Sequence, residues 1–327
     1  MFIYAGIDEA GYGPMFGPLV IGRCVLTIPK LDADADPPHL WQRLSKAVCR
    51  SLRDRRGRIP INDSKKLTTR AAGIKHLEAG CLAFAGLGDH EPAHVAEWLD
   101  VLGEATHRNG TCLPWYAATD DAPWQTLPTA GTPGEIAVAR SMLHHTCSRI
   151  GVGLGSLGAA VVYEDRFNQM YAATRSKASL SFTHVAAHLL HIWQAHGEHH
   201  PTVVVDRQGG RTLYRDLLAL NFPDASLAVL EESPEASAYR LEAGDRAMTI
   251  RFMVEAEAAH MPVALASMLA KYTRELLMAR FNAWFGARCP GLKPTAGYGT
   301  DAQRYWQDLK PHLARLQIEE HTLRRQA

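Results

Sequence analysis

Two β-prone runs separated by a glycine- and proline-rich turn, with two adjacent acids at the junction, restrict this chain more than any other feature. Residues 2–7 are apolar and stop at Asp8-Glu9; Gly11-Tyr12-Gly13-Pro14-Met15-Phe16-Gly17-Pro18 follows, and an apolar run resumes over 19–26. That order reads as strand, glycine turn, strand. It is not a dinucleotide-binding fingerprint. The third glycine of such a motif would fall on Phe16, and Pro14, Pro18 and a β-prone continuation stand where a helix should open.

The rest of the chain alternates strand and helix signals. A loop is expected over 30–38, a helix over about 39–53, and a basic loop over 53–58 leads to Asp63-Ser64-Lys65-Lys66, where Asp63 or Ser64 can cap the next helix. The pattern weakens from about 87 to 135, which holds Trp98, Trp115, Trp124 and Asp120-Asp121. This stretch reads as an insertion, partly helical at 91–102, with its tryptophans in the core. A strand is expected over 157–163, one long helix over 167–196, a short buried strand over 202–205 ending on Asp206, a helix over 211–220 and a strand over 226–231. A hairpin over 238–256 ends near Glu257. The helix from about 263 puts Leu265, Leu269, Tyr272, Leu276 and Ala279 on one face, and Lys271, Arg274 and Met278 on another. A helical tail begins near 300. These elements predict an α/β fold, one mixed sheet with helices on its faces, as a single domain over 1–327.

Composition narrows the function classes. Lys and Arg number 35 against 34 Asp and Glu, and 46% of residues are hydrophobic. The chain can therefore bury a core and is not a general polyanion binder, although a local basic cleft remains compatible with nucleic acid. The six cysteines form no C-x-x-C pair, so neither a zinc knuckle nor a disulfide scaffold is indicated. No signal peptide and no apolar run of the ~20 residues needed for a membrane helix is present. A cytoplasmic protein with no membrane association and no implied protein partner is expected.

Four acids stand out by position. Asp8 and Glu9 end the first strand, Asp206 ends a very apolar one, and Glu257 follows a strand-like run, with Glu255 as its neighbour and competitor. Acids at strand ends converge at the edge of an α/β sheet. Brought close, they repel unless cations neutralise them, and hard oxygen ligands suit Mg2+ or Mn2+. Taken singly, each would be an ordinary solvated strand cap. Glycines beside such a site would let backbone groups approach a sugar-phosphate closely.

In sequence order, Gly6-Ile7-Asp8-Glu9-Ala10-Gly11-Tyr12-Gly13-Pro14, Asp63-Ser64-Lys65-Lys66-Leu67-Thr68, Asp165-Arg166-Phe167-Asn168, Val205-Asp206, the segment from Ala266-Ser267 to Lys271 and Arg274, and Gly297-Tyr298-Gly299-Thr300 resemble the type 2 ribonucleases H, RNase HII and HIII. The resemblance implies an RNase H-like fold with a mixed five-stranded sheet. It also implies an endoribonuclease hydrolysing RNA–DNA hybrids or ribonucleotides embedded in DNA, with two divalent ions and 3′-hydroxyl and 5′-phosphate products. Asp8, Glu9 and Asp206 carry over as metal ligands and catalytic residues. The fourth position falls on Glu257, where RNase HII has Asp and RNase HIII has Glu.

Gly11, Tyr12 and Gly13 carry over as the segment whose backbone meets the ribose 2′-hydroxyl, and Tyr298 as a stacking tyrosine. RNase HII normally has a basic residue where this chain has Tyr12. Lys65 and Lys66 are candidate phosphate contacts. Lys177, Lys271 and Arg274 are expected on a solvated helix face, and His184, His188 and His191 on an amphipathic helix flank. The rival expectations are a catalytically reduced hybrid-binding protein and another RNase H-fold nuclease. All four acids are present, which favours the enzyme.

Overall fold

The computed structural model describes residues 1–29, 37–104, 113–119, 122–207 and 209–326. Most of the expected 30–38 loop and the acidic Asp120-Asp121 lie outside the described residues.

The first two strands form as their composition dictates. β1 (Phe2–Ala10) and β2 (Leu19–Ile28) pair antiparallel, with Asp8 opposite Gly22. Five more strands join them: β3 (Gly153–Val162), β4 (Thr202–Asp206), β5 (Ser226–Glu232), β6 (Ala236–Ala243) and β7 (Arg246–Met253). The sheet runs β3-β2-β1-β4-β7-β6-β5. β1, β4 and β7 are mutually parallel at its centre, while the outer pairs are antiparallel. The mixed α/β sheet is thus as expected, but it has seven strands, not five. The meander over 226–253 extends one edge by two strands.

Helices cover both faces. α1 (Lys75–Leu87), α3 (Pro133–Ile150) and the long α7 (Met261–Arg288) lie on one side, with α2 (Val95–Val101) beside them. α4 (Glu164–Thr174), α5 (Lys177–His196) and α6 (Arg215–Asn221) lie on the other. α7 crosses β1 and β2 at backbone contact. A Cβ on Gly6 would sit 2.2 Å from the Pro262 carbonyl carbon, and one on Gly22 would sit 2.4 Å from the Ala266 oxygen. Glycine is required at both positions, and the crossing brings Ser267 of α7 over the end of β1. α8 (Gly299–Leu309) packs its Tyr305 and Trp306 with Phe16, Phe281 and Phe285, so the expected helical tail is docked on α7.

Two helices differ from expectation. In place of one over 39–53, only Leu40–Arg43 is α-helical, with a single 3-10 turn at Leu52–Asp54. The backbone beyond it is used elsewhere, because Val48–Cys49 pairs with Ile59–Pro60 and the Trp41 indole donates to the Ile61 carbonyl at 2.8 Å. The long helix over 167–196 is two: Arg175 takes a left-handed conformation, φ 53°, and the Ser176 side chain caps α5. Trp98 and Trp115 are core residues, and the Trp98 indole donates to Thr273 Oγ1 at 3.0 Å.

Along the expected amphipathic flank of α5, His184 is half-buried and His191 exposed, but His188 is turned inward. It is buried against Arg23, a buried cation on the α5 face of β2. Arg23 Nη1 lies 3.1 Å from His188 Nδ1, and His188 Nε2 lies 3.0 Å from the Ile21 carbonyl. Because arginine only donates, Nδ1 must accept and Nε2 must carry the proton, which fixes a neutral ring. Burial first, and then Arg23, pushes its pKa down to about 3; burial and Arg166 push His184 down to about 4. In the unfolded chain both titrate near the ordinary value of ~6.5.

As pH falls below ~6.5, the unfolded chain therefore takes up protons that the folded one refuses. Stability, complete above that pH, declines toward pH 4 by up to about 1.4 kcal/mol per pH unit for His188. Urea unfolding of His188→Gln between pH 7 and 4 should show a shallower decline than the parent. An unchanged slope would sink this assignment.

Candidate active site

The register of three parallel strands assembles the acids. Ile7 pairs with Val205, so Asp8 and Asp206 stand side by side at the same edge, and Asp206 pairs with Met253 at the end of β7. Beyond Met253 the chain turns through Glu255, at φ 51°, into the 3-10 turn Ala256–Ala258. The Ala256 amide donates to Asp206 Oδ1 at 2.9 Å and ties this turn to β4. The turn separates the two competing glutamates: Glu257 lines the cleft, whereas Glu255 is exposed and outside it.

The cleft encloses about 260 Å3 and is lined by Asp8, Glu9, Asp206 and Glu257, by Gly11, Tyr12 and Gly13, and by Asp63, Ser64, Lys65, Ser267, Lys271 and Tyr298. Of the residues singled out in the sequence, all four acids, the glycine segment, Lys65 and Tyr298 meet here. Lys66 faces away, into a neighbouring basic cavity with Arg50, Arg53 and Asn62. Lys271, expected on a solvated face, lines the cleft and pairs with Glu275 at 2.7 Å. Arg274 is also no solvated side chain. It is fully buried and donates to the Phe16 and Ala296 carbonyls at 3.0 and 3.1 Å, with Tyr298 stacked at 4.8 Å.

The electrostatics are those of carboxylates crowded without enough positive charge. Burial, then the charges of Asp206 and Glu9, hold the Asp8 carboxyl well above the usual range; hydrogen bonds from Ser267 and the Glu9 amide oppose this. Asp206 is pushed up to about 7, by burial first and also by Glu257, against the Ala256 amide and Lys65. Glu257 Oε2 is buried with no hydrogen-bond partner. Among the described residues no three His, Cys, Asp or Glu side chains form a ready-made ligand set; like charges without a counter-ion have reason to stand apart. An all-oxygen donor set with raised pKa values and an orphaned carboxylate oxygen fits a hard divalent cation such as Mg2+ or Mn2+.

The glycine segment has a specific geometry. Gly11 takes φ 86°, and a Cβ there would meet the Pro18 carbonyl at 2.5 Å; at Gly13 a Cβ would meet nothing within 4 Å. The first glycine is needed to make the turn, while the second leaves open room above the acids. Two features had no role in the cleft assigned from sequence, Ser64 having been offered only as an alternative to Asp63 for the helix cap that Asp63 makes. Ser64 and Ser267 form a buried pair at 3.1 Å between the Ser64–Leu67 turn and α7. Both lie in motif segments, which was their only signal. Arg325, beneath the glycine segment, had none.

No protein-family model and no curated protein matches the chain. Among solved structures it is similar to the PCNA:RNase HII complex from Archaeoglobus fulgidus, with 16% identity over 99% of this chain and 94% of that one and a TM-score of 0.43. It is also similar to ribonuclease H2 from Pyrococcus horikoshii OT3, with 16% identity over 98% and 92% and a TM-score of 0.41. Bst-RNase HIII in complex with Mn2+ gives 15% identity over 99% of this chain and 66% of that one, with a TM-score of 0.43. Among the described residues no helix is long and apolar enough to cross a membrane.

Proposed function

We propose that this chain is a divalent-metal-dependent endoribonuclease of the type 2 ribonuclease H kind, acting on RNA–DNA hybrids or on ribonucleotides within duplex DNA. The observation that carries the reading is the joining of two features in one cleft: three carboxylates on two adjacent parallel strands with a fourth on the turn after the third strand, and a glycine segment left open for a sugar-phosphate.

Asp8, Glu9, Asp206 and Glu257 would hold Mg2+ or Mn2+. The ions, when bound, make an attacking water more acidic and neutralise charge developing on the phosphodiester. The chain's own groups do the rest. Lys65 and Lys271 supply the cleft's positive charge and attract the backbone phosphates. Backbone groups of Gly11–Gly13 approach the ribose closely enough to tell a 2′-hydroxyl from hydrogen. Tyr298, 41% exposed and backed by Arg274 on one side, offers its ring to a sugar or base. Hydrolysis leaves a 3′-hydroxyl and a 5′-phosphate.

The test is cleavage of two labelled duplexes in Mg2+ and in Mn2+, one with a single ribonucleotide in DNA and one with a continuous RNA strand. Metal-dependent cutting of either is expected. A folded protein that binds hybrid but cuts neither duplex would support the binding-protein alternative instead. Tyr12 bears on which duplex is preferred, because its ring lies in the cleft near Glu9 and Arg211. A charge-assisted contact to phosphate is worth about 1.5–3 kcal/mol. If the contact forms only where a lone ribonucleotide sits in the glycine segment, Tyr12→Arg should raise the preference for that duplex about tenfold or more; an unchanged ratio would count against this role.

A further inference from the structure

We propose that Arg325 is a positioning residue that sets the shape of the glycine segment facing the cleft; the inference rests on the nuclease reading above. Arg325 is 4% exposed and comes from a segment more than 300 positions away in sequence. Its Nη1 donates to the Gly11 carbonyl at 2.5 Å and reaches that of Gly17 at 3.5 Å; its Nη2 donates to the Tyr12 carbonyl at 2.9 Å. Its own amide donates to the Met15 carbonyl at 3.0 Å.

The guanidinium is seated on the Phe167 ring, 3.7 Å from its centre. Asn168, one residue on, holds the segment from both sides. Its Nδ2 donates to the His321 and Arg324 carbonyls at 2.6 and 2.8 Å, and its Oδ1 accepts from the Gln326 amide at 2.8 Å. At the far end of the loop, buried Glu164 accepts from the Gly17 amide at 2.9 Å and from the Tyr116 hydroxyl at 2.8 Å.

The consequence follows from peptide planarity. In a trans peptide the C=O and the next N–H point in opposite directions. Carbonyls of Gly11 and Tyr12 drawn down to Arg325 therefore turn the amides of Tyr12 and Gly13 the other way, into the concavity where a ribose oxygen or phosphate would be met. A cation on those carbonyls also polarises the same peptides and strengthens their amides as donors. Burial away from water lowers the arginine's pKa to about 9 despite nearby Glu164, so the guanidinium still carries its charge at neutral pH. Arg325 acts through the loop and touches none of the four acids in doing so.

The test compares the parent with Arg325→Gln and Arg325→Lys. Readouts are kcat and KM on both duplexes, binding of hybrid against all-DNA duplex, Mn2+ affinity by calorimetry, and hydrogen exchange of amides 11–17. Arg325→Gln should raise KM tenfold or more with kcat within about threefold, lower the hybrid preference similarly, and speed exchange in the loop while leaving Mn2+ affinity unchanged. Arg325→Lys, which keeps the charge but reaches fewer carbonyls, should recover part of each effect, and it carries the test if the glutamine variant does not fold. Unchanged KM and unchanged loop exchange would overturn the proposal, as would a fall in kcat and Mn2+ affinity together. If the parent cuts neither duplex, the nuclease reading fails, while loop exchange and hybrid binding still decide whether Arg325 shapes the loop.

Discussion

Asp8→Asn should reduce cleavage about a thousandfold, a loss of ~4 kcal/mol in transition-state stabilisation, while leaving the metal-free fold as stable as the parent or more so. Both halves follow from the same geometry. Asp8 is 7% exposed, beside Asp206 and Glu9, and its carboxyl is held well above the ordinary range by burial and by those charges. Below the unfolded value of ~3.9 both states are protonated and nothing is lost. As pH rises toward the folded pKa, the unfolded chain releases a proton that the folded protein keeps. Stability therefore falls with rising pH across that window, and the cost is present in full above it.

Asparagine keeps the shape and cannot ionise, so chemical denaturation in chelator at pH 8 should show no loss for the variant. Divalent metal should reverse the order. At a hundred times its dissociation constant an ion binding only the folded state adds about 2.7 kcal/mol, and that gain should appear in the parent and be largely absent in Asp8→Asn. Retained turnover would remove Asp8 from the site. A large loss of metal-free stability would show that its carboxylate is structural.

How much of this could be read from the chain alone depended on range. β1 and β2 were legible because the apolar runs and the glycine turn are adjacent, and β4 because three buried valines end on a single acid. Taken run by run, the strand-like segments already number seven; the figure of five came from family resemblance and missed the meander added at one edge. α3 was legible and unread. Thr132-Pro133-Gly134-Glu135 is a capping box with proline at the helix start, and Gly151 closes the helix in a left-handed conformation.

Pairings across long sequence separations were not legible. Nothing local to His188 reveals Arg23, and nothing near Arg325 reveals the carbonyls it holds. Lys65 and Lys66 share a motif, yet neighbours on a short helical turn point in different directions, and only the first enters the cleft. Glu255 and Glu257 are alike in spacing from the strand. It took the left-handed turn at Glu255 to bring the second one back over the acids.

The largest expected effect on stability lies well away from the acids. Glu78→Ala should destabilise the protein by about 3–5 kcal/mol, in the range seen when one partner of a buried charged network is removed. Glu78 is fully buried on α1 and accepts five hydrogen bonds: from the Thr129 amide and hydroxyl at 2.6 and 2.8 Å, the Ala130 and Gly131 amides at 2.8 and 2.6 Å, and the Tyr272 hydroxyl at 3.0 Å. Three successive backbone amides thus converge on one carboxylate. Truncation takes the acceptor away from all five donors at a carboxylate that is itself fully buried.

The contact joins α1, the approach to α3 and the long α7 at one point. Arg280 makes the complementary contact for residues 116–117 and 122–123: it donates to the carbonyls of Tyr116, Pro123 and Ala122 at 2.9, 3.1 and 2.8 Å, and to that of Ala117, with Trp124 stacked on it at 4.3 Å. One buried anion collecting amides and one buried cation collecting carbonyls therefore hold much of a stretch whose sequence shows no clear periodicity. Glu78→Gln should recover only part of the loss, because its amide NH2 faces donors. Urea unfolding of the three proteins decides the matter, and a loss under 1 kcal/mol for the alanine variant would mean that water or a rearranged loop satisfies those amides. Turnover measured well below the melting temperature should stay close to that of the parent, since Glu78 lines no part of the cleft.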